Sequence, residues 1–185
     1  ALTLPDAAKD RTVVLVVGQV EDDASVRLGA QGRSNLDLLR AARAAHPQGF
    51  LVYKPHPDVE AGLRQGAIAP QDLAGLADMT APRTDAAALL DVVDVVFTLT
   101  STYGFEALLR GVPVTTLGAP FYAGWGLTRD LGDVPQRRTD HLRALAQQGL
   151  PAPDMLHLAH AALIAYPRYF DPITRQPCPP EVALH

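Results

Sequence analysis

The chain has 185 residues, of which 48% are hydrophobic and 19% are charged, with a formal net charge of −4. This length can bury one well-packed domain, and the negative charge gives no basic surface for nucleic acid. No apolar run approaches the roughly 18 residues that a membrane-spanning helix needs. We therefore expect a soluble globular domain with no nucleic-acid partner.

The first half of the chain alternates strand and helix patterns. An apolar β-branched run ends at Gly18, and apolar residues at helical spacing follow Ser34, a favourable N-cap residue. A second short apolar run is stopped by Pro55 and Pro57. The predicted elements are a strand at 12–17, a helix at 34–46, a strand at 50–53, one or two helical turns at 61–65, a short strand at 77–80, a helix at 85–91 and a strong strand at 92–97.

The second half continues the alternation and then becomes irregular. We predict a helix at 103–110, a strand at 114–117, a long glycine and aromatic loop at 118–130, and helices near 140–148 and 154–165. Alternating strands and helices imply right-handed crossovers and an α/β fold with a Rossmann-like, doubly wound parallel sheet. The predicted organisation is one such domain over residues 1–165 and an irregular C-terminal tail over 166–185.

The sequence also predicts the cellular compartment and whether the chain is part of a longer protein. Cys178 is the only cysteine, so no internal disulfide and no multi-cysteine metal site can form. Residues 1–10 lack the basic and apolar regions of a secretory signal. We expect a cytoplasmic protein and, because the chain opens on a polar segment without an initiator Met, an excised piece of a longer one.

A hydroxyl-rich turn, Thr100-Ser101-Thr102, lies between the strongest predicted strand and a helix. Ligands of open α/β sheets bind beyond the carboxyl ends of the strands, and a helix N-terminus there offers unpaired N–H groups to an anion. The pattern predicts a phosphate-binding turn. The alternative is that Ser101 or Thr102 only caps the helix, although Glu106 lies too far along for a strict capping box.

Three acids, Glu21, Asp22 and Asp23, follow the first strand together with Gln19. Like charges close together raise one another's pKa, which is one way to tune a carboxyl group for acid, base or nucleophilic work. The alternative is a solvated acidic loop. A divalent metal site is disfavoured, because acids in an adjacent run cannot all converge on one ion.

Lys54 and His56 follow the second strand in the segment YKPHPD, which the two prolines are expected to hold rigid and extended. An imidazole N–H and the lysine ammonium can contact a phosphate together. The alternative is a partly buried structural histidine with the lysine in solvent.

Two features of the late loop region are candidates for substrate contact. Trp125, the only tryptophan, lies in a glycine-rich loop where its ring can pack on a sugar or a base, or fold back onto the sheet. Arg138 can bind a carboxylate or phosphate through two hydrogen bonds, although exposed paired arginines are common.

Five ordered motifs give the chain a family resemblance that runs along most of its length. They are GQVEDDAS at 18–25, YKPHPDV at 53–59, TLTSTYGFEALLRGVP at 98–113, PFYAGWGLT at 120–128 and YPRYFDPITRQPC at 166–178. With these motifs the chain resembles the bacterial capsule polysaccharide biosynthesis proteins of the KpsC type, which are β-Kdo transferases.

The resemblance implies one Rossmann-like half of a GT-B-type retaining glycosyltransferase that transfers Kdo from CMP-Kdo to a lipid-linked acceptor. By this resemblance His56 and the Ser101-Thr102 turn match CMP phosphate-binding positions, and Asp23 matches the essential aspartate. The expected catalytic residues are Asp23, with Asp22 and Glu21 as alternatives; the expected substrate-binding residues are Gln19, Lys54, His56, Thr100, Ser101, Thr102, Glu106, Trp125 and Arg138.

The same resemblance implies partners and excludes a cofactor. The expected partners are the nucleotide-sugar donor, the acceptor glycan and a second Rossmann-like domain, in a cytoplasmic protein lying peripherally at the inner membrane face. No metal and no cofactor beyond CMP-Kdo as donor are expected.

Two alternatives to a retaining Kdo transferase are an inverting sialyltransferase-like or epimerase-type GT-B enzyme, and a non-catalytic CMP-binding or scaffold module in capsule assembly.

Overall fold

A six-stranded parallel sheet forms the centre of the fold. The computed structural model of the protein describes residues 3–183, so the outermost two positions of the predicted ranges 1–165 and 166–185 lie outside the described residues. The strands are β1 Val13–Val17, β2 Phe50–Lys54, β3 Met79–Thr80, β4 Val95–Thr98, β5 Val114–Thr116 and β6 Arg129–Asp130.

Helices connect the strands and follow the last one. Ser34 begins the longest connecting helix with a capping box, in which its hydroxyl accepts from the Asp37 N–H at 3.2 Å while the Asp37 carboxylate accepts from the Ser34 N–H at 2.9 Å. The helices are α1 Ala24–Gly29, α2 Asn35–Ala45, α3 Pro57–Glu60, α4 Pro70–Leu76, α5 Ala86–Leu90, α6 Thr102–Leu109, α7 Gln136–Gln147 and α8 Met155–His160.

The strand order is β3-β2-β1-β4-β5-β6, which confirms the doubly wound Rossmann-like sheet predicted from the sequence. The chain builds the sheet outward from β1 to β3 in one direction, then returns to the other side of β1 with β4. The order therefore reverses between β1 and β4. The loops that leave the carboxyl ends of these two strands diverge, and a crevice opens between them.

The sheet is buried on both faces by two hydrophobic clusters. On one face Val14, Val16 and Phe97 pack with residues of α1, α2 and α4. On the other face Leu15 and Val96 pack with residues of α5, α6 and α8. Because both faces are covered, the central strands are continuous apolar runs without polar alternation.

Two elements predicted in the first half of the chain differ clearly from the structure. The strand predicted from 92 begins at Val95, because the preceding residues turn out of α5 and the Asp94 carboxylate accepts from the Val13 N–H at 2.7 Å. The helical turns predicted at 61–65 are wrong: the helix is α3, Pro57–Glu60. Proline suits the first helical position because its missing N–H needs no partner there, so the extended segment ends at His56.

Two helices that lie between strands and the edge strand β6, which falls at the end of the predicted loop 118–130, were not predicted, and one helix starts earlier than predicted. The acidic loop leads directly into α1, and α4 occupies part of a stretch with no clear pattern. The helix predicted near 140–148 is α7 and begins at Gln136.

The C-terminal segment contains short elements rather than a wholly irregular tail. After α8 a π-helical turn, Ala161–Ala165, is followed by the antiparallel pair β7 Tyr169–Phe170 and β8 Pro177–Cys178, and by α9 Pro180–Ala183. The domain boundary at 165 stays a prediction.

Candidate functional site

A cleft of about 300 Å³ opens at the carboxyl edge of the sheet, where the strand order reverses. Its walls come from the loops after β1, β2 and β4, which are far apart in the chain. The residues that line it are Gln19, Val20, Asp23, Ser25, His56, Asp58, Arg64, Thr100, Ser101 and Thr102. The structure therefore brings together members of all three motifs that the sequence singled out at this edge.

Gln19 joins the loops after β1 and β4 from beneath the cleft. Its side-chain oxygen accepts from the Thr100 N–H at 2.8 Å and from the Thr98 hydroxyl at 3.2 Å, and its amide donates to the Thr100 hydroxyl at 3.1 Å. Gln19 is only 7% exposed. These bonds hold the two loops at a set separation, so Gln19 shapes the cleft floor.

A second buried amide, Asn35, anchors the loops from the side. Its side chain accepts from the Gln19 N–H at 2.9 Å and donates to the carbonyls of Gln19 at 2.7 Å and Gly66 at 2.9 Å. Asn35 is fully buried, and each of these bonds joins the start of α2 to a loop. The loops after β1 and α3 are thus held against the start of α2.

Asp23 is the one of the three predicted acids that lines the cleft. It caps α1: its Oδ1 accepts from the backbone N–H of Ser25 at 2.8 Å and from the Ser25 hydroxyl at 2.6 Å. These two hydrogen bonds, helped by the positive charge of Arg64, lower the pKa of Asp23 below its ordinary value of 3.8. The carboxylate therefore stays ionised at neutral pH, with Oδ2 left for other contacts.

The other two acids turn to different partners. Glu21 accepts from the Asn35 N–H at 2.6 Å, at the N-terminus of α2. Asp22 accepts from the Arg64 guanidinium at 3.1 Å. The expectation that crowding raises a pKa in this group is therefore wrong for Asp23, because each carboxylate has its own donor.

His56 lies across the cleft at the start of α3. Its Nδ1 accepts from the Asp58 N–H at 3.2 Å, which caps the helix and places the ring proton on Nε2. The imidazole is 40% exposed. His56 therefore offers a donor, the Nε2–H group, to a molecule in the cleft.

The hydroxyl-rich turn begins α6, and Ser101 is its N-cap. The Ser101 hydroxyl accepts from the Tyr103 N–H at 3.1 Å, so the cap interpretation holds for this residue. Thr102 is exposed at the first helical position, and both residues still line the cleft. Ser101 can therefore cap α6 and also line an anion site, because a capped helix N-terminus still has other backbone N–H groups without an intrahelical partner.

The turn is braced from behind by the glycine and aromatic loop. Tyr122 is fully buried and its hydroxyl donates to the Ser101 carbonyl. The ring packs near Phe105 and Phe121. The loop therefore fixes the position of the α6 N-terminus.

Four predicted substrate-binding residues do not line the cleft. Lys54 ends β2, half-buried, and Glu106 pairs with Arg110 at 3.2 Å along α6. Trp125 donates its indole N–H to the Phe121 carbonyl at 2.8 Å. Arg138 is buried, where it donates to two loop carbonyls, Pro120 at 2.6 Å and Ala123 at 2.8 Å. The two bonds from Arg138 tie the loop to α7. Contact of these four residues with a substrate stays a prediction.

Four cleft residues were not among the sequence candidates: apolar Val20 and polar Ser25, Asp58 and Arg64. Ser25 and Asp58 belong to the quoted motifs, and their contacts with Asp23 and His56 follow from ordinary capping two residues away. Arg64 lies in a stretch with no recognisable pattern, and only the return of the chain after α3 brings it to the cleft.

Within residues 3–183 no group of three or more His, Cys, Asp or Glu side chains is arranged to hold a metal ion. None of the helices in this range combines the length and the hydrophobicity needed to cross a bilayer.

The sheet order and the cleft at its switch point define the chain as a Rossmann-like α/β domain. Residues 1–169 match the model of the family described as capsule polysaccharide biosynthesis protein. The chain belongs to this family, which confirms the predicted resemblance.

Curated relatives and solved structures agree with this assignment. The chain is 48% identical, over 94% of its length, to the capsule polysaccharide modification protein LipA of Neisseria meningitidis serogroup B. It is 44% identical, over 86% of its length, to the lipopolysaccharide-processing protein LpsZ of Rhizobium meliloti. It spans only 23% and 34% of these two proteins.

Two solved structures of KpsC from Thermosulfurimonas dismutans share the fold. The β-Kdo 2,7 transferase matches 95% of this chain with a TM-score of 0.77 and 35% identity, and the β-Kdo 2,4 transferase matches 98% with a TM-score of 0.73 and 30% identity. The chain covers 52% and 54% of those chains, the share expected for one half of a GT-B-type transferase.

Proposed function

We propose that the chain is the donor-binding half of a retaining glycosyltransferase that transfers β-Kdo from CMP-Kdo to a lipid-linked acceptor in capsule synthesis. The observation that carries the proposal is the meeting of Asp23, His56 and the α6 N-terminus in one cleft at the switch point of the sheet. Both solved relatives are Kdo transferases by name, which supports the substrate class.

The CMP phosphate is assigned to the α6 side of the cleft. The N-terminus of α6 presents backbone N–H groups and the positive end of the helix dipole, and Thr102 adds an exposed hydroxyl. His56 donates from Nε2 on the opposite side. These donors stabilise the negative charge that develops on the phosphate as the bond to the sugar breaks.

Asp23 is assigned as the nucleophile. Its ionised carboxylate attacks the anomeric carbon, C2 of Kdo, while the C2–O bond to CMP breaks and the electron pair leaves with the phosphate. The acceptor hydroxyl then attacks C2 from the face that CMP vacated, gives its proton to the departed CMP phosphate and releases the Asp23 carboxylate. Two inversions give net retention.

A second Rossmann-like domain is assigned to the acceptor. The chain covers about half of each matched KpsC transferase chain, and its cleft is open to solvent on one side. A facing domain would close the cleft and exclude water from the glycosyl-enzyme intermediate. The acceptor would reach C2 from that side.

Intact-protein mass spectrometry of the full-length protein, quenched in acid after incubation with CMP-Kdo, tests the nucleophile. Wild type and Asp22→Asn should each carry an adduct of one Kdo residue, and Asp23→Asn should carry none. The asparagine oxygen can still accept from Ser25, so α1 keeps its cap in this variant. An adduct that persists in Asp23→Asn but disappears in Asp22→Asn would overturn the assignment.

Two further measurements separate the proposal from its alternatives. An inverting enzyme would give the α-linked product, which the anomeric NMR signals of the product distinguish. A scaffold module would bind CMP with normal affinity in calorimetry, form no product, and be indifferent to the Asp23→Asn change.

A further inference from the structure

Arg64 is the one side chain with a permanent positive charge among the described residues that line the cleft. The other charged groups there are the carboxylates of Asp23 and Asp58, and His56 uses Nδ1 as an acceptor. An anion entering this cleft meets two negative charges. Arg64 is therefore the group that can offset them.

The Arg64 guanidinium is held in place by Asp22. Its Nε donates to the two carboxylate oxygens at 3.1 and 3.3 Å, and its Nη2 lies 3.1 Å from Oδ1. Asp22 therefore occupies one side of the planar fork. The Nη1 group has no hydrogen-bond partner within residues 3–183 and remains available to a molecule in the cleft.

The backbone around Arg64 is also tied down on both sides. The N–H groups of Leu63 and Arg64 donate to the Asp58 carbonyl at 2.8 and 3.2 Å, and the Gln65 carbonyl accepts from the Glu21 N–H at 3.0 Å. Arg64 thus sits between the loop that carries Asp23 and the helix that His56 caps. The backbone of Arg64 is held on both sides and its guanidinium is held by Asp22. The side chain therefore loses little conformational entropy when it binds an anion.

A CMP-linked sugar acid brings two negative charges to this cleft, one on the phosphate and one on the sugar carboxylate. The donors on the α6 side bind the first of them. The phosphate has the helix N-terminus and His56. The second charge, the sugar carboxylate, is bonded directly to C2, the atom that Asp23 attacks. It must come close to the Asp23 carboxylate, and a nearby cation is needed to offset their repulsion.

We propose that Arg64 binds the carboxylate of the donor sugar and so selects sugar acids over neutral sugars, with Asp22 as its positioning residue. This inference rests on the proposed function, because it assumes that the donor occupies the cleft with C2 at Asp23. A guanidinium suits the task because it carries five N–H donors, so the Nη1 group can bind the donor carboxylate while the Nε and Nη2 edge stays on Asp22.

Calorimetry on the full-length protein with three probes tests the inference: CMP, CMP-Kdo, and a CMP-Kdo analogue whose carboxylate is a carboxamide. Wild type should bind CMP-Kdo about 10- to 100-fold more tightly than the carboxamide, the range typical of a charged hydrogen-bonded pair. Arg64→Gln should bind both donors with the same affinity and keep CMP binding within about threefold of wild type.

Two matched variants complete the test. Asp22→Asn keeps Arg64 but loosens it, so its discrimination between the two donors should fall part of the way. Arg137→Gln removes an exposed arginine of α7, outside the cleft, and should discriminate as wild type does.

Each contrary result has its own meaning. Arg64 contacts the phosphate instead if Arg64→Gln weakens CMP as much as CMP-Kdo. It has no role in recognition if Arg64→Gln still distinguishes the carboxylate from the carboxamide as wild type does. If wild type binds neither CMP nor CMP-Kdo, the proposed function itself fails and the role of Arg64 falls with it.

Discussion

Replacing Gly104 with alanine should destabilise the protein, although alanine is the better helix former. Gly104 lies in the first turns of α6, and a Cβ there would overlap the hydroxyl oxygen of Tyr122 and lie 2.8 Å from its Cζ atom. Tyr122 has no room to retreat, because it is fully buried among aromatic rings. The added methyl group must therefore displace Tyr122 from Ser101.

The expected free-energy change combines three contributions. Alanine in a helix gains about 1 kcal/mol over glycine. Against this, overpacking a tight site costs about 1–3 kcal/mol, and leaving the Ser101 carbonyl without its donor costs about 1–3 kcal/mol more. The net loss is about 1–5 kcal/mol, and a loss of ~3 kcal/mol lowers the Tm of a domain this size by about 6–12 °C.

Urea unfolding and thermal melting of Gly104→Ala measure this loss, with Gly75→Ala as the matched control. Gly75 is also helical, in α4, but a Cβ there meets no atom within 4 Å. Gly75→Ala should therefore raise the free energy of unfolding by about 0.5–1 kcal/mol. Opposite signs for two glycine-to-alanine changes isolate the packing effect from helix propensity.

A double-mutant cycle with Tyr122→Phe locates the clash. Removing the hydroxyl takes away both the overlapping atom and the hydrogen bond, so Gly104→Ala should cost at least about 1 kcal/mol less in that background. A clash with the Tyr122 hydroxyl is refuted if Gly104→Ala stabilises the protein as Gly75→Ala does, or if its cost is the same with and without the hydroxyl.

Three other outcomes are expected. Gln19→Leu should lower the free energy of unfolding by about 2–4 kcal/mol in urea titrations, because it leaves the buried Thr100 N–H without an acceptor; an unchanged midpoint would contradict this. The folded-state pKa of Asp23 is lowered, so its stabilising effect is present above the ordinary value of 3.8 and is lost as pH falls through the depressed value. The difference in free energy of unfolding between wild type and Asp23→Asn should accordingly vanish in acid. A difference that grows as the pH falls would contradict the lowered pKa. Transferase activity of the full-length protein should survive EDTA, and a loss restored by Mg²⁺ would overturn that expectation.

Much of the fold follows from local patterns in the sequence. The apolar run at 13–17 predicts a buried strand because its side chains have no polar alternation, and Ser34 predicts the start of α2 because a cap depends only on residues within one turn. The element boundaries fail where a partner far along the chain decides them. Asp94 bonds to Val13, so β4 starts later than its hydrophobicity alone predicts.

The site is predicted only in outline. Asp23, His56 and Ser101 follow three strands of one sheet, and parallel strands end at the same edge, so their meeting follows from the topology. Arg138 shows where residue type misleads: an arginine that looks available for an anion is buried and bonded to two carbonyls of the chain. Nothing in the neighbouring residues distinguishes these two situations.

The sequence by itself determined the parallel sheet and the edge at which polar side chains collect, because strand pattern, capping and proline placement act over a few residues. The tertiary structure decided which carboxylate faces the cleft. Glu21, Asp22 and Asp23 are equivalent by spacing, and they separate only because Asn35, Arg64 and Ser25 each supply a donor in a different direction. Two of those three donors, Asn35 at the start of α2 and Arg64 after α3, lie far along the chain, so the direction of a carboxylate is set by contacts that the local sequence does not contain.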